Sequence, residues 1–112
     1  MTSKPVGPYS PYRVIGNQLF VSGQIPNDVD VPVAEQTKQV LDKLKALVEQ
    51  AGFKMSDVMK CTVFLADIED FAEMNKVYAS YFTEPYPCRA AVAVKDIVKN
   101  VLVEIDCFAV KQ

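Results

Sequence analysis

The chain has 112 residues, 50% of them hydrophobic, with 12 basic against 14 acidic side chains, a net charge of −2 and no histidine. That length and apolar content suit one domain with a core of its own. The missing imidazole excludes histidine general-base chemistry, the Ser-His-Asp arrangement and most transition-metal sites.

Basic residues are scattered: Lys38, Lys43 and Lys45 on one segment, Lys95 and Lys99 near a turn. A nucleic-acid binder gathers such residues into a stripe or patch, so no nucleic-acid partner is expected. Cys61, Cys88 and Cys107 form no Cys-x-x-Cys pair and sit in apolar runs. They read as small buried hydrophobes in a reducing compartment. No apolar stretch approaches a membrane span, and Met1-Thr2-Ser3-Lys4-Pro5 lacks the apolar core of a signal peptide. A cytoplasmic protein without a membrane partner is the expectation.

The segment from Lys4 to Pro11 holds three prolines and a glycine and predicts an extended arm. Tyr12 to Ile15 reads as a short strand, Gly16-Asn17 as a turn, and Leu19 to Ser22 as the returning strand. A loop punctuated by Pro26 and Pro32 leads to a helix over 33–51. There Val33, Val40, Leu41, Leu44, Leu47, Val48 and Ala51 follow the 3.6-residue period. Gly52 stands where a left-handed stop is needed, and Phe53 can pack back on the last turn. Val58 to Ala66 is a strand. Asp67 and Asp70 are candidate caps for a second helix reaching Phe82, with Ile68, Phe71, Tyr78 and Phe82 as its stripe. Two further strands run over 87–94 and 101–110. The order β-β-α-β-α-β-β predicts an α+β sandwich, a sheet with two helices on one face. Apolar runs such as Val63-Phe64-Leu65 imply that both sheet faces are covered. Two helices cover only one, so the other is expected to meet copies of the same chain.

Arg89 and Glu104 are charges set inside the largely apolar last two strands, where a charge without a partner is costly. Either they form a salt bridge or each lines a cleft that a charged ligand completes. Strand alternation puts Arg89, Ala91, Ala93 and Lys95 on one face. An arginine fork there can take a carboxylate through two parallel hydrogen bonds. Glu104 shares its face with Leu102, Asp106 and Phe108 and can orient or deprotonate a water. Asn75 lies on the inward stripe of the second helix and needs a hydrogen-bond partner, from backbone or ligand. Ser22-Gly23-Gln24 closes a strand with a hydroxyl and backbone groups, and Gly7-Pro8-Tyr9 holds a tyrosine on a stiff arm. Cys88 is next to Arg89, but pleating sends the two side chains apart, against a cysteine nucleophile.

Gly7-Pro8-Tyr9, the run Val21 to Pro26, Ala51-Gly52-Phe53, and Thr62 to Ile68 with Phe71 occur together. So do Asn75 to Tyr78 with Tyr81-Phe82, Pro87 with Arg89, and Val103-Glu104-Ile105. In this joint order the chain resembles the RidA/YjgF family of reactive-intermediate deaminases over nearly its whole length, as a single RidA-like domain, 1–112. The resemblance implies a chorismate-mutase-like fold, a homotrimer and ligand clefts between subunits. It implies hydrolysis of 2-imino acids to 2-oxo acids and ammonia, without cofactor. By position, Arg89 would grip the substrate carboxylate and Glu104 would orient the attacking water. Tyr9, Ser22 and Asn75, with backbone near Gly23 and Ala91, would line the cleft. A non-catalytic trimeric binder of 2-oxo acids or other small carboxylates is the alternative. A mutase rests on fold analogy alone. Many members carry a cysteine where this chain has Ala91. The 26–32 loop and the 84–87 connection are short, and Ile97-Val98 replaces a frequent Leu-Pro.

Overall fold

The computed structural model describes residues 7–112. The start of the proline-rich arm, residues 4–6, lies outside them. The elements are β1 (Tyr12–Ile15), β2 (Gln18–Gln24), α1 (Val33–Gln50), β3 (Val58–Leu65), α2 (Phe71–Ala79), β4 (Cys88–Ala93) and β5 (Val103–Val110). This is the expected order, and the five strands form a mixed sheet ordered β1-β2-β5-β3-β4. All neighbours are antiparallel except β3 and β4, which run parallel. The parallel pair follows from the α2 crossover, since parallel strands cannot be joined by a tight hairpin.

Both helices lie on one face, where strand alternation delivers Leu19, Val21, Cys61, Val63, Leu65, Val103, Ile105, Cys107 and Ala109 to the core. On α1, Val40, Leu41, Leu44 and Val48 are fully buried, each contributing about 1.5–3 kcal/mol of transfer free energy. The helix ends as its sequence demands. Gly52 takes φ +88°, and the Phe53 and Gly52 amides donate to the Val48 and Glu49 carbonyls, both at 3.0 Å. That is a Schellman stop, which favours glycine at the left-handed position.

The second helix departs from its predicted stripe. It ends at Ala79, and Ile68 belongs to a preceding 3-10 turn and is exposed, while Met74 is fully buried. Asp67 caps that turn by accepting from the Glu69 amide at 2.9 Å, and Asp70 makes no side-chain cap. Helical periodicity carried back across the 3-10 turn misplaces Ile68, because that turn has three residues and not 3.6.

Gln36 was not expected inside. It is fully buried on α1 and ties the helix to two loops. Its amide nitrogen donates to the Val29 and Val31 carbonyls, and its oxygen accepts from the Leu102 amide at 2.8 Å. Gln36→Leu would leave these part-buried backbone groups unpaired, so a loss of about 1–3 kcal/mol is expected. Urea unfolding at fixed chain concentration measures it, and an unchanged midpoint would contradict this role.

The sheet's other face is not covered. Phe20 and Val92 are 48% and 44% exposed there. Phe108 stacks against Phe20 at 5.0 Å between ring centroids, and Phe64 is only partly buried. No helix of the described residues is long and apolar enough to cross a membrane.

Candidate functional site

The sequence singles out seven residues, and the chain places them in two groups on opposite faces of the sheet. Arg89 pairs with Cys61 in the parallel β3–β4 register, which puts its side chain on the helix side at the sheet edge. Its Nη1 donates to Asn75 Oδ1 at 2.7 Å. The guanidinium carbon lies 4.8 Å from the Tyr78 ring centroid and 5.4 Å from that of Phe71. Residues 71, 75 and 78 recur at helical spacing, so one face of α2 supplies all three contacts. Arg89 remains exposed and has no carboxylate partner among the described residues. Ala91 follows on the same face, packed against the core.

Glu104 pairs with Phe64 across β5 and β3, on the open face. Two strand spacings, about 9–10 Å, and the sheet itself separate it from Arg89. A salt bridge between them within one chain is therefore excluded. The Glu104 side chain lies over Gly23, where β2 carries a register shift against β5. A Cβ built on Gly23 would overlap the carboxylate and stand 2.9 Å from Glu104 Cδ. The irregular strand and the absent side chain together make the carboxylate's berth. Burial, with a smaller contribution from the neighbouring Asp106 charge, holds the Glu104 carboxyl above its ordinary range.

Ser22 precedes Gly23 and ties the arm to the sheet. Its hydroxyl donates to the Ser10 carbonyl at 2.6 Å, and its amide donates to the Pro11 carbonyl at 2.9 Å. These bonds hold the adjoining Tyr9 next to β2, where it is 51% exposed. A cleft of about 460 Å³ opens here, lined by Ser10, Arg13, Val14, Ile15, Phe20 and Ser22 among others. A larger groove of about 680 Å³ between the helices, reaching Glu35, Lys38, Lys76 and Tyr81, touches none of the candidate residues.

Cys61 and Cys107 are buried as expected, and burial pushes the Cys61 thiol up to about 11. Cys88 corrects the same expectation: it is exposed, on the face away from Arg89. Edge strands leave some apolar positions uncovered, which composition alone does not reveal. Among the described residues no cluster of His, Cys, Asp and Glu is arranged to hold a metal ion. The contribution of Phe71 and Tyr78 to the arginine's surroundings was missed in the sequence. Both were assigned to the core stripe, and only their i, i+4, i+7 spacing with Asn75 hinted at it.

The fold is that of a small α+β protein with two groups of polar residues on opposite faces of its sheet, and comparison with known proteins identifies the family. The family model described as Endoribonuclease L-PSP matches residues 1–111. A RutC family protein of Pyrococcus horikoshii is 49% identical, over 97% of this chain and 91% of that protein. The 2-iminobutanoate/2-iminopropanoate deaminase of Escherichia coli K12 is 42% identical, over 96% of this chain and 90% of its own. The crystal structure of E. coli TdcF with bound serine superposes with a TM-score of 0.91 at 37% identity, covering 96% of this chain and 91% of that one. The chain belongs to the RidA/YjgF family.

Proposed function

We propose that the protein is a hydrolytic deaminase of reactive 2-imino or enamino acids, working in clefts completed between copies of the chain. The single observation that carries this is a pair of charges without opposite charges beside them. Among the described residues, Arg89 presents an oriented fork with no carboxylate and Glu104 is a partly buried carboxylate with no cation, on opposite faces of one sheet. A small anionic substrate and an attacking water would complete the two. The relatives named as deaminases, and the bound serine in TdcF, support a ligand that carries a carboxylate beside a nitrogen.

In this reading Arg89 takes the substrate carboxylate through two N–H groups while Asn75 holds another part of the fork. Across the interface Glu104 accepts one proton from water as the water oxygen bonds to the carbon of the protonated imine, giving a neutral carbinolamine. Glu104 returns that proton to nitrogen, the C–N bond breaks as the carbinolamine hydroxyl gives its own proton to Glu104, and ammonia and a 2-oxo acid leave, with that last proton passing to ammonia or solvent. A carboxyl raised by burial suits both directions of transfer, which contribute about 10²–10⁴-fold. Tyr9, Ser22 and the backbone at Gly23 would line the water side, and Asn75 and Ala91 the carboxylate side.

Assembly as a homotrimer brings the two sides together. The uncovered face with Phe20, Phe64, Val92 and Phe108 is the surface that copies would bury. Sedimentation equilibrium is expected to give three times the 12.5 kDa chain mass, and Val92→Glu is expected to dissociate it. A stable wild-type monomer would defeat the composite cleft. Turnover is tested by generating imines with an amino-acid oxidase or a threonine dehydratase and trapping them with semicarbazide. Wild type should speed release of ammonia and 2-oxo acid across several imines. Retained 2-oxo acid binding without any turnover would favour the non-catalytic carboxylate binder.

A further inference from the structure

Arginine has many rotamers, and a ligand that needs one plane of the fork loses affinity by having to order it. In this chain the plane is set before any ligand arrives. Tyr78 and Phe71 present their rings to the guanidinium at 4.8 and 5.4 Å, and Asn75 accepts from Nη1. The Tyr78 ring is itself locked: it is 5% exposed and stacks on Phe82 at 4.8 Å between centroids. Its hydroxyl is buried beside the Cys61 thiol and makes no hydrogen bond to the arginine, so the ring face is what this position offers Arg89. The other arginine, Arg13, is exposed on the edge strand β1 and has no comparable contact among the described residues.

We propose that Phe71 and Tyr78 are positioning residues for carboxylate binding, fixing the plane of the Arg89 guanidinium so that its unbonded N–H edge is already aimed at the ligand. The α2 helix makes this cradle rigid, because all three contacts to Arg89 come from two consecutive turns of one element. Stacking on a ring is worth more as water leaves, so the cradle strengthens when a ligand or a second subunit covers the edge. The inference rests on Arg89 being the carboxylate-binding group.

The test uses substitutions that separate ring from volume. Phe71→Met keeps most of the bulk and removes the ring face. It is expected to raise KM, and the Kd of 2-oxobutanoate, by roughly three- to thirty-fold, with kcat changed much less. Phe71→Tyr, which restores a ring, should rescue both values to near wild type. Nitrogen-15 relaxation of the two arginine Nε–H groups in the unliganded wild type reads the same claim without any substitution. Arg89 is expected to be rigid and Arg13 mobile. Equal mobility of the two, or an unaltered KM and Kd in a folded Phe71→Met protein, would overturn the cradle. Arg89→Ala separates the two ideas. If it binds and turns over like wild type, the carboxylate-binding reading itself fails. If it is inactive while Phe71→Met is normal, only the cradle fails.

Discussion

An equal mixture of Arg89→Ala and Glu104→Gln chains, unfolded and refolded together, is expected to recover about one quarter of wild-type turnover, although each variant alone has almost none. The fraction follows from the half-sites' placement on opposite faces of the sheet. If a cleft takes its arginine from one copy and its carboxylate from the next, random assembly makes both wild type with a probability of one half times one half. Clefts built within a single chain would recover nothing, because no chain in the mixture carries both residues. Each single variant should fold, since Arg89 is exposed and Gln matches Glu104 in shape. Circular dichroism and sedimentation of the refolded mixture would verify that. Absence of recovery from a well-assembled mixed trimer would sink the composite cleft.

Glu104→Gln should also separate catalysis from stability. Turnover is expected to fall by about 10²–10⁴-fold while 2-oxo acid binding through Arg89 persists. Stability should move the other way. Burial raises the Glu104 pKa in the folded state, so the folded chain binds this proton more tightly than the unfolded chain. The stability tied to that proton is fully present below the unfolded pKa and is lost as pH rises through the folded one. Replacing the carboxylate by a neutral amide should therefore raise Tm at pH 7 to 8 and leave it almost unchanged near pH 4. Gly23→Ala supplies an independent check. Its methyl would displace the Glu104 carboxylate, the flexible end of a side chain. The fold should survive while turnover drops. A Glu104→Gln protein that loses stability at neutral pH would show that the carboxylate is paired in the assembly and not waiting for water.

Much of the fold was legible because it depends on local pattern. The α1 period, the Gly52 stop and the alternation along β5 all act within a few residues, and the structure follows them. The exceptions have local causes too: the 3-10 turn that exposes Ile68, and the edge position that exposes Cys88. Gln36 escaped notice for a different reason. Its partners, Val29, Val31 and Leu102, are brought together only by the packing of loops around α1.

Residue type and strand period already marked Arg89, Glu104, Asn75, Ser22 and Gly23 as unusual, because a charge or amide in an apolar run must find a partner whatever the fold. Tertiary structure decided which partner. Parallel pairing of β4 with β3, and antiparallel pairing of β5 between β3 and β2, send the arginine to one face and the glutamate to the other. Facing is fixed by register across strands far apart in the chain, and no local pattern encodes that. The same register lays a glutamate over the single glycine that leaves room for it, and a helix's two rings against the arginine.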